Sequence, residues 1–529
     1  MISVQTQQRD KSIAFQPAPL SVGLVNMGTY PHYTGGVSTW CDLLVRGLPE
    51  VRFTLISLVA DPSAKPVYDL APNVERLITV PLWGTGDVLE LKRHLSLFRL
   101  IRHKRSASTE IIRRLFVPPF ERFVQLLWQD EASAAEVGEM LYAMAIYFRE
   151  HDYDATLRSE PVWGCFLQQT QQGYARFRQT MSRADTLTLL DVTDALRLLY
   201  RWLTVLTIPL PEVAVMHTVA AGLCSLPGIL ARQDSNVSFL LTEHGIYLRE
   251  RLLALARSED TLFNQAFQAR FDQRLTEASY CFANQIAPGS NYNHRWELRN
   301  GAPAGLIQTI YNGPDPQVFT PVISSRRDDT SPTIIWLGRI DPLKDLLTLI
   351  RAAAIVHEAV PQARFVLYGK APKGNEAYYQ SCLALRAELG LAATVIFGGF
   401  AASAEAAYNE GEFVVLSSIS EGFPYSVVEA MMCGRTVVGT AVGGVPEALE
   451  GCGFIVEPRN PEAMAEACIY LLQNPLLAQR LGQEARAKAL AQFSLQQCNA
   501  AYLSTYQHLV TLARNCPTGA YAGHRGTTA

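Results

Sequence analysis

The sequence predicts an α/β protein made of more than one parallel-sheet domain. Three observations carry that reading. The chain has 529 residues, more than one hydrophobic core serves, so two or three domains are expected. Residues 413–447, FVVLSSISEGFPYSVVEAMMCGRTVVGTAVGGVPE, read as strand, loop, helix and strand, one unit of a parallel sheet. The same order opens the chain, with a strand at Ser21–Asn26, a loop from Gly28 to Gly36 and a helix at Ser38–Gly47. Such sheets bind ligands at the carboxyl ends of their strands, so the loops there are where function is sought.

Composition narrows the class. Hydrophobic content of 48% and charged content of 18% describe a soluble globular chain. A net charge of −3 argues against a nucleic-acid partner. The ten cysteines are scattered without a C-x-x-C pair, which fits a reducing compartment and no zinc site. The first residues, MISVQTQQRDKSIAFQPAPL, lack the apolar core of a signal peptide. Val213–Ala231 carries no charge for 19 residues, yet it contains His217, Gly222, Pro227 and Gly228. A buried strand turning into a buried helix is expected there, not a membrane span.

The 413–447 stretch has the chemistry of a ligand site. Gly422 lets a backbone approach closely, and Ser426 is a good N-cap for the helix read at Ser426–Cys433. Free N–H groups at that helix start favour a phosphate. Glu421 and Glu429 accept hydrogen bonds only, so they suit hydroxyls of a sugar or ribose. A nucleotide sugar fits both demands, and a surface loop with two solvated carboxylates is the competing reading. The run E-G-F-P-x-S-x-x-E-A-M resembles the E-x7-E signature of the GT4 family of retaining glycosyltransferases. The resemblance implies the GT-B fold, two Rossmann-like domains facing across a cleft. It places Glu421, Gly422, Phe423, Pro424, Ser426 and Glu429 at the nucleotide sugar.

Other positions fit the same family. The first loop is not G-x-G-x-x-G, which weakens a dinucleotide reading. Gly35-Gly36 offers bare N–H groups before a helix, or a tight turn, and matches the family's Gly-Gly loop near the donor phosphates. Arg52–Ala60 reads as a second strand. After Trp83 the rhythm stops, and Leu89–Arg201 reads as a helical insertion. Its first part, residues 91–122, is basic and residues 130–160 are acidic. Paired solvated helices, or a basic face on anionic lipid or an acidic partner, both explain that. Asp152-Tyr153-Asp154 is a D-x-D in an acidic helical segment, not at a strand end, and is read as chance rather than as a metal site.

The α/β rhythm resumes at Val213–Met216 and Phe239–Leu241. His217 is read as structural. His244, at a strand's carboxyl end, resembles the family histidine that contacts the donor sugar. The run T-E-H-G-I-Y-x-R-E-R with the insertion upstream resembles the PelF subfamily, cytosolic glycosyltransferases of Pel-type exopolysaccharide export, over roughly residues 20 to 510. A strand is expected at Cys281–Pro288. Ile310–Asp315 resembles the family linker P-N-G-x-D, departing at Tyr311 and Pro314.

After a polar linker at Ser324–Pro332 comes a strand, Thr333–Leu337. Arg339 at its end and Lys344 at a helix start place two cations beside one phosphate, or in surface ion pairs with Asp341 or Asp345. The run G-R-x-D-x-x-K, with Gly338, matches the family's diphosphate motif. Further strands are read at Arg364–Gly369 and Thr394–Gly398. Phe400 follows where the family places the base. Gly443-Gly444 with Pro446 and Glu447 forms another bare turn, and 461–514 reads as helices.

The expected organisation is a first domain at 20–320 with the insertion at about 89–201, and a second at 330–495. A helix at 496–514 crosses back, and the tails 1–19 and 516–529 are flexible. The resemblance implies a retaining hexosyltransferase using UDP-glucose or a related UDP-sugar, with His244, Arg339, Lys344 and Glu421 catalytic. No metal and no cofactor are expected. A glycan acceptor and inner-membrane polysaccharide export proteins are the expected partners, with the protein cytoplasmic and peripheral on that membrane through them. Two rivals stay open, a nucleotide-sugar epimerase of the same fold and a non-catalytic scaffold of a membrane complex.

Overall fold

The computed structural model describes residues 20–83, 106–180, 185–235, 237–322 and 331–515. The expected tails, the linker's residues 323–330 and the start of the insertion, 89–105, lie outside them.

Two six-stranded, all-parallel sheets form the frame. The first runs β3-β2-β1-β4-β5-β6, from β1 (Ser21–Met27), β2 (Arg52–Val59), β3 (Val74–Pro81), β4 (Val215–Thr218), β5 (Ser238–Glu243) and β6 (Gln285–Pro288). The second runs β12-β11-β10-β7-β8-β9, from β7 (Thr333–Leu337), β8 (Arg364–Tyr368), β9 (Val395–Gly399), β10 (Phe413–Leu416), β11 (Val437–Thr440) and β12 (Phe454–Val456). Central strands such as β10, FVVL, are buried on both faces, as sheets covered by helices on each side require. In each sheet the strand order reverses once, between β1 and β4 and between β7 and β10. Those are the crevices where ligands of doubly wound sheets bind.

Two strand readings need correction. β3 escaped the sequence reading because it is an edge strand, largely solvated, whose VERLITVP lacks a clean alternation. The strand read at Cys281–Pro288 begins only at Gln285. Cys281 and Phe282 close the helix Leu262–Phe282.

The insertion is not an appendage. Its helices Val117–Trp128, Ala134–Glu150, Glu160–Arg178 and Leu189–Trp202 share one continuous core with the first sheet, where Phe116, Phe120 and Phe123 join Ile56, Leu58 and Val80. A Cβ on Gly138 would stand 2.1 Å from the Phe282 ring, so the helix Ala134–Glu150 must sit directly on the helix Leu262–Phe282. Each buried aromatic ring removes roughly 150–250 Å² from water, so the sheet cannot lose these helices without exposing its face. Among the described residues two of the basic side chains pair between helices, Arg122 with Glu136 at 2.6 Å and Arg113 with Glu160 at 3.0 Å, and the basic positions 92–105 lie outside the described residues. Asp152-Tyr153-Asp154 is also spoken for. Asp152 caps its helix by accepting from the Ala155 N–H at 2.9 Å, Tyr153 is buried, and Asp154 accepts from the Tyr200 hydroxyl.

The last helix, Leu495–Asn515, packs on the first domain. Its Tyr506 hydroxyl lies 2.7 Å from His217 Nδ1, and the Tyr502 hydroxyl is 3.1 Å from Thr242 Oγ1. The two connections between domains run side by side, with the Leu495 N–H donating to the Pro314 carbonyl at 3.0 Å.

Candidate active site

The second domain's crevice gathers the charges. β7 ends at Leu337, and Gly338 continues it, its N–H donating to the Tyr368 carbonyl at 3.0 Å. Arg339 follows, exposed and with no hydrogen-bond or ion-pair partner among the described residues. Asp341 starts a 3₁₀ turn, Pro342–Lys344, accepting from the Leu343 N–H at 2.9 Å. Lys344 therefore sits in that turn, not in the following helix Leu346–Ala359, which Asp345 caps from the left-handed region at φ 45°.

Lys344 pairs with neither Asp341 nor Asp345. Its Nζ lies 2.5 Å from Glu421 Oε1, in the loop after β10, and Ser418 Oγ donates to that same oxygen at 2.5 Å. The loop is pinned beneath by Ser417 Oγ donating to the Lys344 carbonyl at 2.7 Å. Lys344 and Glu421 thus meet at the crevice between β7 and β10, and Arg339 follows the carboxyl end of the same β7.

The helix after this loop departs from the expected one. It spans Tyr425–Met432 with Pro424 as N-cap, so Ser426 is its second residue and caps nothing. Pro fits there because the fixed φ leads into a helix and no N–H is lost. Phe423 and Pro424 are buried, and the Phe423 ring packs at a tilt against Tyr311 and Phe493, 5.0 and 5.1 Å between ring centres. Their side chains anchor the loop and are not available to a ligand. Glu429 is partly exposed, and its Oε2 accepts from the Tyr408 hydroxyl at 2.8 Å. Burial pushes its carboxyl up to about 7 against the pull of that hydrogen bond. Phe400 stands 74% exposed, with Lys370 Nζ 4.4 Å from its ring centre.

The first domain closes over this crevice. Gly35 and Gly36 start the helix Gly36–Gly47 with open space where side chains would be. His244 follows β5, packed edge-on against Trp40 at 4.4 Å, with Nε2 sealed from solvent and without a partner. Burial pushes its pKa down to about 4, so the ring is neutral at pH 7. His217, by contrast, lies wholly inside, bonded to Tyr506 and Thr242. A Cβ on Gly422 would stand 2.1 Å from the His244 carbonyl oxygen, so only glycine lets the Glu421 loop meet the His244 loop.

Four hydrogen bonds across the cleft went unseen in the sequence. Arg249 donates to Ser420 Oγ at 3.3 Å. Glu447, from the second domain, accepts from the N–H groups of Asn291 and Tyr292 at 2.9 and 2.6 Å and from the Tyr311 hydroxyl at 3.0 Å. A Cβ on Gly443 would stand 2.1 Å from the Glu421 carbonyl oxygen, which ties that clasp to the Glu421 loop. The motif G-G-V-P-E was the available signal, but nothing in it names a partner some 150 residues earlier.

Two doubly wound domains facing across a cleft, with cations at one crevice and a histidine opposite, define a GT-B-fold protein. The chain belongs to the family described as "Domain of unknown function (DUF3492)", whose model matches residues 20–305. Residues 331–474 match the model "Glycosyl transferases group 1". D-inositol 3-phosphate glycosyltransferases of Mycobacterium tuberculosis and Mycobacterium bovis are 30% identical over 226 residues, 40% of this chain. The chain spans 45% of the length of these relatives. Sucrose-phosphate synthase from Thermosynechococcus elongatus shares the fold at a TM-score of 0.59 and 18% identity, over 93% of this chain and 100% of that one. Anabaena HepE, solved with UDP and glucose, shares it at a TM-score of 0.56 and 15% identity, over 93% and 100% of the two chains.

Proposed function

We propose that this chain is a retaining glycosyltransferase that moves a hexose from a UDP-sugar to a growing exopolysaccharide. The observation that carries the reading is the convergence of Arg339, Lys344 and Glu421 at the crevice between β7 and β10, facing His244 across the cleft. The group 1 match over residues 331–474 and the sugar transfer named for the mycobacterial relatives support it.

In this reading Arg339 and Lys344 take the diphosphate, the first as a fork and the second as a point charge. The bond between the anomeric carbon and the phosphate oxygen breaks, and negative charge builds on departing UDP. The two cations stabilise that charge where it develops. The acceptor hydroxyl forms the new bond on the same face, and its proton passes to the leaving phosphate oxygen. Glu421 holds Lys344 through one oxygen and keeps the other for a sugar hydroxyl, Glu429 receives the ribose, and neutral His244 orients the sugar. Exposed Phe400 is placed to stack on the base.

These cations are the reason to propose turnover without a divalent ion or cofactor. The PelF-like run at residues 242–251 supports a Pel-type polysaccharide, cytoplasmic synthesis and inner-membrane export partners. Calorimetric titration of UDP, GDP and a set of UDP-sugars tests the donor. Release of free UDP only with a glycan acceptor present separates transfer from epimerisation, and absent UDP binding refutes the reading.

A further inference from the structure

The helix Tyr247–Leu255 follows the His244 loop, and the short helix His294–Arg299 follows β6, so both lie at the carboxyl ends of neighbouring strands on the cleft's rim. Both place a leucine three residues after an arginine. The first reads Arg249-x-x-Leu252-Leu253 and the second Arg295-x-x-Leu298-Arg299. Residues so spaced fall within roughly 100° of helical arc and share one face. That face is solvated in both. Leu252, Leu253 and Leu298 are 43%, 44% and 47% exposed, and Arg295 and Arg299 are exposed as well.

One indole joins the two faces. The guanidinium carbons of Arg249, Arg295 and Arg299 stand 5.5, 5.7 and 5.7 Å from the Trp296 ring centre, and Arg295 also lies 3.9 Å over Tyr292. None of the three arginines is in an ion pair among the described residues. The nearest acid in sequence, Glu297, is buried, and burial pushes its carboxyl up to about 9, so it does not neutralise them. Glu250, one residue on from Arg249, feels that cation's charge, so Arg295 and Arg299 carry most of the rim's free charge.

We infer that this rim is the surface by which the protein docks on an anionic lipid membrane. Arginines meet lipid phosphates, the indole and phenol suit the headgroup layer, and the three leucines enter the acyl boundary. Charge complementarity selects that occupant: a chain of net charge −3 keeps exposed Arg295 and Arg299, in no ion pair among the described residues, beside exposed leucines, while partly buried Arg249 ties the rim to Ser420 across the cleft. Docking there would turn the acceptor side of the cleft toward the membrane, a consequence that rests on the proposed transfer activity. The docking itself does not. It uses a surface distinct from the described part of the insertion, where Arg113 and Arg122 are paired with Glu160 and Glu136.

Flotation of the full chain with phosphatidylcholine vesicles, with and without phosphatidylglycerol, tests the proposal with no sugar present. The chain should float only with phosphatidylglycerol, and less as salt rises. Arg295→Glu with Arg299→Glu should weaken vesicle binding by more than tenfold, since each cation near an anionic surface is worth about fivefold. Leu252→Ser with Leu253→Ser should weaken binding at every salt concentration, and UDP affinity should hold in both variants. Wild-type protein that stays unbound would overturn the proposal and leave the rim to a protein partner. So would charge-reversed protein that floats undiminished. Loss of UDP binding by the wild type would strike the transferase reading alone.

Discussion

Lys344 Nζ lies 2.5 Å from Glu421 Oε1, so the cation after β7 and the carboxylate after β10 form one ion pair across the crevice. Both side chains are mostly covered, so removing one strands the other. Lys344→Ala should weaken UDP binding by about 1–3 kcal/mol, the range for charge-assisted bonds. Part of that loss is repulsion between the stranded Glu421 and the diphosphate, so adding Glu421→Gln should restore some affinity. Arg339→Ala has no such partner and should gain nothing from Glu421→Gln. Uridine binding should hardly change in any of them. Calorimetry on the four variants checks this, and equal UDP affinity throughout would refute the phosphate assignment.

Glu447 holds the domains together. Its three donors come from the first domain, two of them backbone N–H groups. Glu447→Ala should leave UDP affinity within a few-fold, because the phosphate cations lie in the second domain. It should lower kcat/KM by roughly 10- to 100-fold, the size of one or two charge-assisted hydrogen bonds. Small-angle scattering should show a wider particle. An unchanged particle with unchanged kcat/KM would remove the clasp from the reaction.

Burial raises the Glu429 carboxyl to about 7. Only the ionised form is a pure acceptor for ribose hydroxyls. UDP and uridine affinity should therefore rise as pH climbs through about 7 and level off above it. Tyr408→Phe deletes the hydroxyl that favours the ionised form, so the rise should move to higher pH. Titrations across pH read this directly, and a flat profile from pH 6 to 8 would take Glu429 off the ribose.

Turnover should survive EDTA. Asp152→Ala with Asp154→Ala should leave kcat unchanged yet destabilise the fold by about 0.5–2 kcal/mol, since Asp152 is a helix cap and Asp154 binds Tyr200. Thermal denaturation beside an activity assay separates the two effects. Activity that vanishes with EDTA and returns with Mg²⁺ would show that the cation pair does not suffice.

Much of this protein is determined locally. The runs SVGLVN and FVVL fix buried parallel strands because a strand covered on both faces must be apolar throughout. The carboxyl ends of β5, β7 and β10 then fix where His244, Arg339 and Glu421 lie in the chain, and the resemblance of their motifs to the GT4 family singled them out. What tertiary structure decided is every choice of partner. Sequence offered Lys344 two carboxylates, Asp341 and Asp345, and packing of the β10 loop gave it a third, Glu421. Ser426 has the chemistry of a cap, but the helix already starts two residues ahead of it, with Pro424 in the cap position. Glu447 and Tyr292 lie 155 residues apart, and only closure of one domain on the other brings a carboxylate to that N–H. Side-chain chemistry is written residue by residue. Which charge meets which depends on loops held by two cores at once, and no local pattern encodes that.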